Sequence, residues 1–175
     1  LLPMKTPLIR SLLSALTFTA FLPAAMFAQT TERVSVDSIG TQANAWSGNS
    51  AISRDGIFIA FGSGASNLVS GDTNNVADVF VHNRLSGQTE RISVSTAGVQ
   101  GNDSSSVPSI SADGRMVAFS SRATNLVFGD TNATDDIFVH DRLTHHTSRV
   151  SVNAAGVQGN GLSYHPSISA DGLMI

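Results

Sequence analysis

Ile110-Ser111-Ala112-Asp113-Gly114-Arg115-Met116-Val117-Ala118-Phe119-Ser120-Ser121 reads as two short strands joined by a tight turn. Asp-Gly between apolar runs is a strong short hairpin signal, because both central residues of a type I′ turn take positive φ. The same turn stands 58 residues upstream as Ile52-Ser53-Arg54-Asp55-Gly56 and 58 residues downstream as Ile168-Ser169-Ala170-Asp171-Gly172.

The repeat extends outward on both sides. Thr31-Glu32-Arg33-Val34-Ser35-Val36 returns as Thr89-Glu90-Arg91-Ile92-Ser93-Val94 and as Thr147-Ser148-Arg149-Val150-Ser151-Val152. Asn67-Leu68-Val69-Ser70-Gly71-Asp72-Thr73-Asn74 returns as Asn125-Leu126-Val127-Phe128-Gly129-Asp130-Thr131-Asn132. About 30 of the 58 positions are identical between the two complete copies without a gap, which marks a duplication. Each copy holds four short runs rich in Val, Ile and Phe, bounded by Gly, Asp, Asn and Ser. They are too short for helices and read as strands. Val79-Phe80-Val81 and Ile137-Phe138-Val139 do not alternate with polar residues, as expected of strands covered on both faces. The fold class is therefore all-β, a β-propeller of four-stranded antiparallel blades. Its blades are expected at about residues 50–94 and 108–152, with a truncated one at 166–175.

Residues 110–121 resemble the WD40-like repeat of TolB-type propellers, in which a Ser-Ala-Asp-Gly or Ser-Pro-Asp-Gly hairpin precedes an apolar strand ending in Ser. Asp136-Ile137-Phe138-Val139-His140-Asp141-Arg142 is similar to that family's third strand. The unit is longer than the usual blade of about 40 to 45 residues, with the excess in the loops before Asp78 and Asp136. The Trp-Asp signature is absent, since Trp46 is the only tryptophan. Closed propellers need about four to eight blades, so two blades and the opening of a third read as the N-terminal part of a longer protein. Assembly of several chains into one ring is the alternative. Thr31–Val36 would then act as the strand that completes the last blade.

Residues 1–28 read as a signal peptide. Lys5 and Arg10 precede the apolar stretch Leu12 to Leu22, and Pro23-Ala24-Ala25-Met26-Phe27-Ala28 supplies a small residue for cleavage after Ala28. Leu1-Leu2-Pro3 lie upstream of the start Met4. An uncleaved anchor would need roughly 20 apolar residues, about twice what is present. The expected location is the periplasm or the exterior, with no membrane span after cleavage.

Of 175 residues, 13 are acidic and 10 basic, and both residues Lys5 and Arg10 belong to the leader. The remainder carries 8 Arg and no Lys, so no basic stripe is available and nucleic acid is not an expected partner. Without cysteine there is no disulfide and no thiol nucleophile.

The candidate ligand set lies in the long loops: Asp72, Asn74 and Asp78 in one copy, Asp130, Asn132 and Asp136 in the other. A D-x-N-x-x-x-D spacing can gather oxygens for Ca2+, although the Gly at position six and the closing Glu of an EF-hand are missing. The alternative is structural: Asp72 and Asp130 cap loop N–H groups, and Asp78 and Asp136 anchor the third strand. Calcium is a candidate ion, and no cofactor is required. Asp55, Asp113 and Asp171 are read as turn residues. His82 and His140 are read as core-edge histidines bonded to backbone, and Arg33, Arg91 and Arg149 as partners of Glu32, Glu90 or a neighbouring blade. No Gly-x-Ser-x-Gly or phosphate loop occurs, so no catalytic residue is assigned.

Three functions follow. The resemblance implies a non-catalytic exported propeller that binds a protein or a cell-envelope component. The alternatives are the front end of a prolyl-oligopeptidase-type hydrolase and a calcium-stabilised secreted repeat protein.

Overall fold

The computed structural model describes residues 31–175; the signal-peptide reading of residues 1–28 lies outside them. Eight strands form two sheets: β1 (Ser47–Ile52), β2 (Phe58–Ser63), β3 (Asp78–Asn83) and β4 (Thr89–Arg91), then β5 (Ser105–Ile110), β6 (Met116–Ser121), β7 (Asp136–Asp141) and β8 (His146–Arg149). Both sheets are antiparallel, with the strands in chain order. This is the four-stranded blade of a β-propeller, present twice. Residues 163–175 continue the pattern without a strand: Ser169 N–H donates to the Met174 carbonyl across the third Asp-Gly turn. Among the described residues no helix is long and apolar enough to cross a membrane.

The non-alternating strands are covered on both faces, as their sequences require. Val79, Phe80 and Val81 are all buried, as are Ile137, Phe138 and Val139. Ala60, Val79, Val81 and Ile92 of the first blade share one core with Ile110, Val117, Phe119 and Phe138 of the second. On the other face of the first blade, Ile59, Phe61 and Phe80 pack against Val34 and Ala43. Phe61 pairs with Phe80 in register, and Phe119 with Phe138, their rings 5.8 and 5.9 Å apart.

The Asp-Gly turns differ from the type I′ expectation. Gly56, Gly114 and Gly172 have φ of +72°, +74° and +74°, but the preceding aspartates do not lie at positive φ. Gly56 N–H donates to Ser53 O and Ser53 N–H to Phe58 O, giving a longer loop in which glycine alone is left-handed. The carboxylate of Asp55 stabilises that geometry by accepting from Ser53 Oγ (2.6 Å) and from Ile57 N–H (2.9 Å). These bonds hold the carboxyls of Asp55, Asp113 and Asp171 below their ordinary range. The first strand of each blade starts at Ser47 or Ser105, earlier than the apolar pattern suggests, because a bulge interrupts it. Asn49 and Val107 occupy the left-handed region at that bulge.

Neighbouring repeats are stitched by backbone and charge. Arg54 N–H donates to Ala112 O, and Ala112 N–H to Ala170 O, so the successive turns are linked. Arg84 grips Glu32 at 2.8 and 2.9 Å, and Arg142 reaches Glu90 while lying 4.4 Å over the Phe58 ring. The outer strand of each blade is closed to pairing at one threonine, Thr89 in β4 and Thr147 in β8. Ser38 Oγ accepts from Thr89 N–H (3.0 Å) and faces Thr89 O, and Thr96 Oγ1 does the same for Thr147.

His82 and His140 are buried, but their partner is a side chain rather than backbone. Thr89 Oγ1 donates to Val36 O (2.6 Å), so its lone pair receives the proton of His82 Nδ1 at 2.8 Å. His140, Thr147 and Val94 repeat the chain. Burial pushes the pKa of both imidazoles down. The unfolded chain then takes up protons near pH 6.5 that the fold refuses. Stability is whole above that pH and is lost as pH falls below it. Melting followed by circular dichroism should show a lower Tm at pH 5.5 than at pH 7.5, with a flatter profile in the His82→Gln/His140→Gln variant.

Candidate functional site

The antiparallel order places the β2–β3 and β6–β7 loops, and the connections leaving β4 and β8, at one end of the sheets. The short hairpins lie at the other end. Each long loop begins with apolar anchors, Ala65 and Leu68 or Ala123 and Leu126, all buried. The intervening amide then ties the loop to the preceding connection. Asn67 accepts from Asn44 N–H and donates to Gln42 O, both at 2.9 Å, and Asn125 does the same with Asn102 and Gln100.

Asp72, Asn74 and Asp78 converge, and so do Asp130, Asn132 and Asp136. Asn74 Oδ1 accepts from Val76 N–H, and Nδ2 donates to Gly101 O (2.9 Å) and to Asp78 (3.2 Å). Three residues missed by the sequence reading complete the cluster. Gln100 Nε2 bridges Asp72 (2.9 Å) and Asp78 (3.1 Å). Ser93 Oγ donates to Asp78 at 2.5 Å. Arg91 Nη1 lies 3.5 Å from Asp72 and 3.4 Å from Asp78. In the second copy Gln158, Ser151 and Arg149 take these places. The expectation that Arg91 and Arg149 pair with Glu32, Glu90 or a neighbouring blade is thereby corrected. Each turns instead to the loop carboxylates, and Glu32 and Glu90 are held by Arg84 and Arg142. The signal was present in sequence, since Gln100 and Gln158 recur at the 58-residue shift within Gly-Val-Gln-Gly-Asn.

The space between the two carboxylates is occupied by a guanidinium and two amide NH2 groups. That chemistry makes a loop lock: one buried cation offsets part of the charge of two carboxylates, and hydrogen bonds from the amides and the serine hold them. Burial pushes the Asp72 and Asp130 carboxyls above the ordinary range, opposed by the Gln100 and Gln158 bonds. Among the described residues no group of three or more His, Cys, Asp or Glu side chains is placed to hold a metal ion. Seating Ca2+ would require the arginine to withdraw and the amides to turn their oxygens inward.

No protein-family model matches the chain, and no curated protein matches it. Among solved structures it is similar to TolB from Acinetobacter baumannii, at 19% identity and a TM-score of 0.44 over 73% of the chain and 25% of that protein. It is also similar to a putative TolB from Agrobacterium tumefaciens, at 20% identity and a TM-score of 0.40 over 59% of the chain and 30% of that protein. The β-propeller domain of the Trilobed protease from Pyrococcus furiosus gives 13% identity and a TM-score of 0.45 over 73% of the chain and 32% of that one. The chain thus spans about a quarter to a third of these proteins' lengths.

Proposed function

We propose that this chain belongs to an exported, non-catalytic β-propeller whose loop-bearing end binds a component of the cell envelope. One observation carries the reading: the two repeats keep the same lock and change what surrounds it. Asn67, Gly71, Asp72, Asn74, Asp78, Arg91 and Gln100 all recur at the 58-residue shift. Around them Ser70 becomes Phe128, Gly64 becomes Arg122, Ala77 becomes Asp135, and Trp46 becomes Ser104. Trp46, Arg122 and Phe128 are exposed. A rigid scaffold with varied side chains at one end is how loop-borne recognition is built.

Export rests on the leader sequence. Fractionation of cells carrying the gene should recover the protein from the periplasm or the medium, with Gln29 as its first residue. Retention in the cytoplasm would overturn this part of the reading.

Calcium binding by Asp72, Asn74, Asp78 and their counterparts is the competing proposal for the clusters. The nitrogen-filled arrangement leads to a Tm unchanged by chelator. A fall in Tm with EDTA, restored by excess Ca2+, would assign the clusters to the ion instead.

A further inference from the structure

His140 and His145 face one another on the second blade, their ring centroids 6.3 Å apart. His140 is only 3% exposed. Thr147 Oγ1 donates to Val94 O (2.6 Å), so it accepts from His140 Nδ1–H at 2.9 Å. That relay fixes the tautomer, and Nε2 carries the lone pair. Nε2 has no hydrogen-bond partner among the described residues, and it is not enclosed as the unpartnered Arg149 nitrogens are. His145 stands beside it on the turn between β7 and β8, exposed, with φ of +59°. The first repeat has Gly87 at this place, at +74°, and there His82 lines an open cavity with no second imidazole. The second repeat thus holds a residue with a Cβ in a left-handed conformation and gains a ring beside His140. This face is turned to the preceding repeat, to which Val94 ties it.

A neutral imidazole whose other ring N–H is held by a fixed acceptor is the arrangement of a metal ligand. Burial keeps His140 neutral at pH 7, so no proton has to be displaced from it. The nearby carboxylates of Glu90 and Asp141 are matched by Arg142 and Arg115, so the face does not repel a cation. With metal–nitrogen bonds of about 2 Å, an ion shared by two imidazoles sets their centroids about 4.5 to 6.5 Å apart. The observed 6.3 Å asks at most for a small turn of the exposed His145. No third His, Cys, Asp or Glu converges with the two rings among the described residues, which leaves the other coordination positions to water. A structural zinc site asks for a full set of protein ligands, and Ca2+ for oxygens. Two imidazoles and water suit Cu2+, which also stands at the top of the affinity order for nitrogen sites. We propose that His140 and His145 form a binding site for Cu2+, with His140 Nε2 as the preset ligand. The site lies at the hairpin end and is independent of what the loop-bearing end binds.

Untagged, metal-stripped protein titrated with Cu2+ tests it, read by isothermal titration and by electron paramagnetic resonance of the bound ion. One Cu2+ per chain should bind in the micromolar range, with nitrogen hyperfine splitting in its spectrum. His145→Gly installs the residue of the sister repeat at an exposed, left-handed position. That variant should melt no lower than the natural protein, while its Cu2+ affinity falls by about tenfold or more. His140→Gln should lose affinity alike. His146 alternates to the opposite face from Thr147 in β8, so His146→Gln should leave affinity unchanged. Absence of binding at micromolar Cu2+, or unaltered affinity in His145→Gly, overturns the proposal. So does a loss in His146→Gln equal to that in His145→Gly, which would assign the ion to the adjacent exposed pair instead. If His140→Gln does not fold, His145→Gly and the nitrogen splitting decide alone.

Discussion

Gly114→Ala should destabilise the protein by about 3 kcal/mol, and Gly56→Ala by only about 1 kcal/mol, although the two glycines occupy the same position of the repeat. Both sit at positive φ, +74° and +72°, where any side chain strains the backbone. Their surroundings differ. A Cβ on Gly114 would lie 2.2 Å from Phe58 Cδ2 and 2.6 Å from Cγ, whereas the nearest atom to one on Gly56 is 3.9 Å away. Phe58 belongs to the preceding blade, and its ring is also held beneath Arg142, so it has little room to yield. Gly172 lies between the two, because its neighbour is the flexible Met116 side chain, with Cγ 2.7 Å from the added carbon. Urea unfolding of the three variants should rank them Gly114, Gly172, Gly56. Equal effects at all three would mean that the turn glycines serve local geometry only. The combined Phe58→Ala/Gly114→Ala variant should lose less than the sum of its parts, because the two sites are in contact.

Asp78→Ala should cost about 2 to 4 kcal/mol, because it leaves several buried donors without their acceptor at about 1 to 3 kcal/mol for each one stranded. The Asp78 carboxylate is fully buried and receives Ser93, Asn74, Gln100 and Arg91. Its removal leaves the enclosed Arg91 facing Asp72 alone, and strands the donors of Ser93 and Asn74. Asp136→Ala should behave alike in the second blade, where Ser151, Asn132 and Gln158 converge on the same carboxylate. Asp78→Asn, which keeps shape and one acceptor, should cost less. Limited proteolysis supplies a second readout, since a broken lock should expose the loop between β2 and β3 to cleavage before global unfolding. A loss under about 1 kcal/mol, with the loop still protected, would contradict the lock.

Strand count, sheet type and repeat length were legible in the sequence because they follow from local features. Four apolar runs per 58 residues, and Val79-Phe80-Val81 without alternation, leave little choice but stacked blades. The turn type was misread for a local reason. Asp-Gly signals a reversal, but Ser53 and Asp55 bond to one another and to the Ile57 and Phe58 N–H groups, which favours the longer loop. The lock was half legible. Asp72, Asn74 and Asp78 lie within one loop and announce themselves by spacing. Arg91, Ser93 and Gln100 reach it from other parts of the repeat, and only pairing across the sheet reveals them. An acidic loop read alone shows only its oxygens and amides, because the guanidinium that faces them is supplied from elsewhere in the chain.

Sedimentation with isolated envelope material tests the proposed role most directly. Three proteins are compared: the natural sequence, a variant with loop-end residues exchanged for those of the sister repeat (Trp46→Ser, Arg122→Gly, Phe128→Ser), and a hairpin-end control (Leu85→Ser, Leu143→Ser). The natural protein and the hairpin-end control should sediment with the envelope, and the loop-end variant should stay in the supernatant. Equal sedimentation of all three, or none of any, would contradict a binding surface at the loop-bearing end.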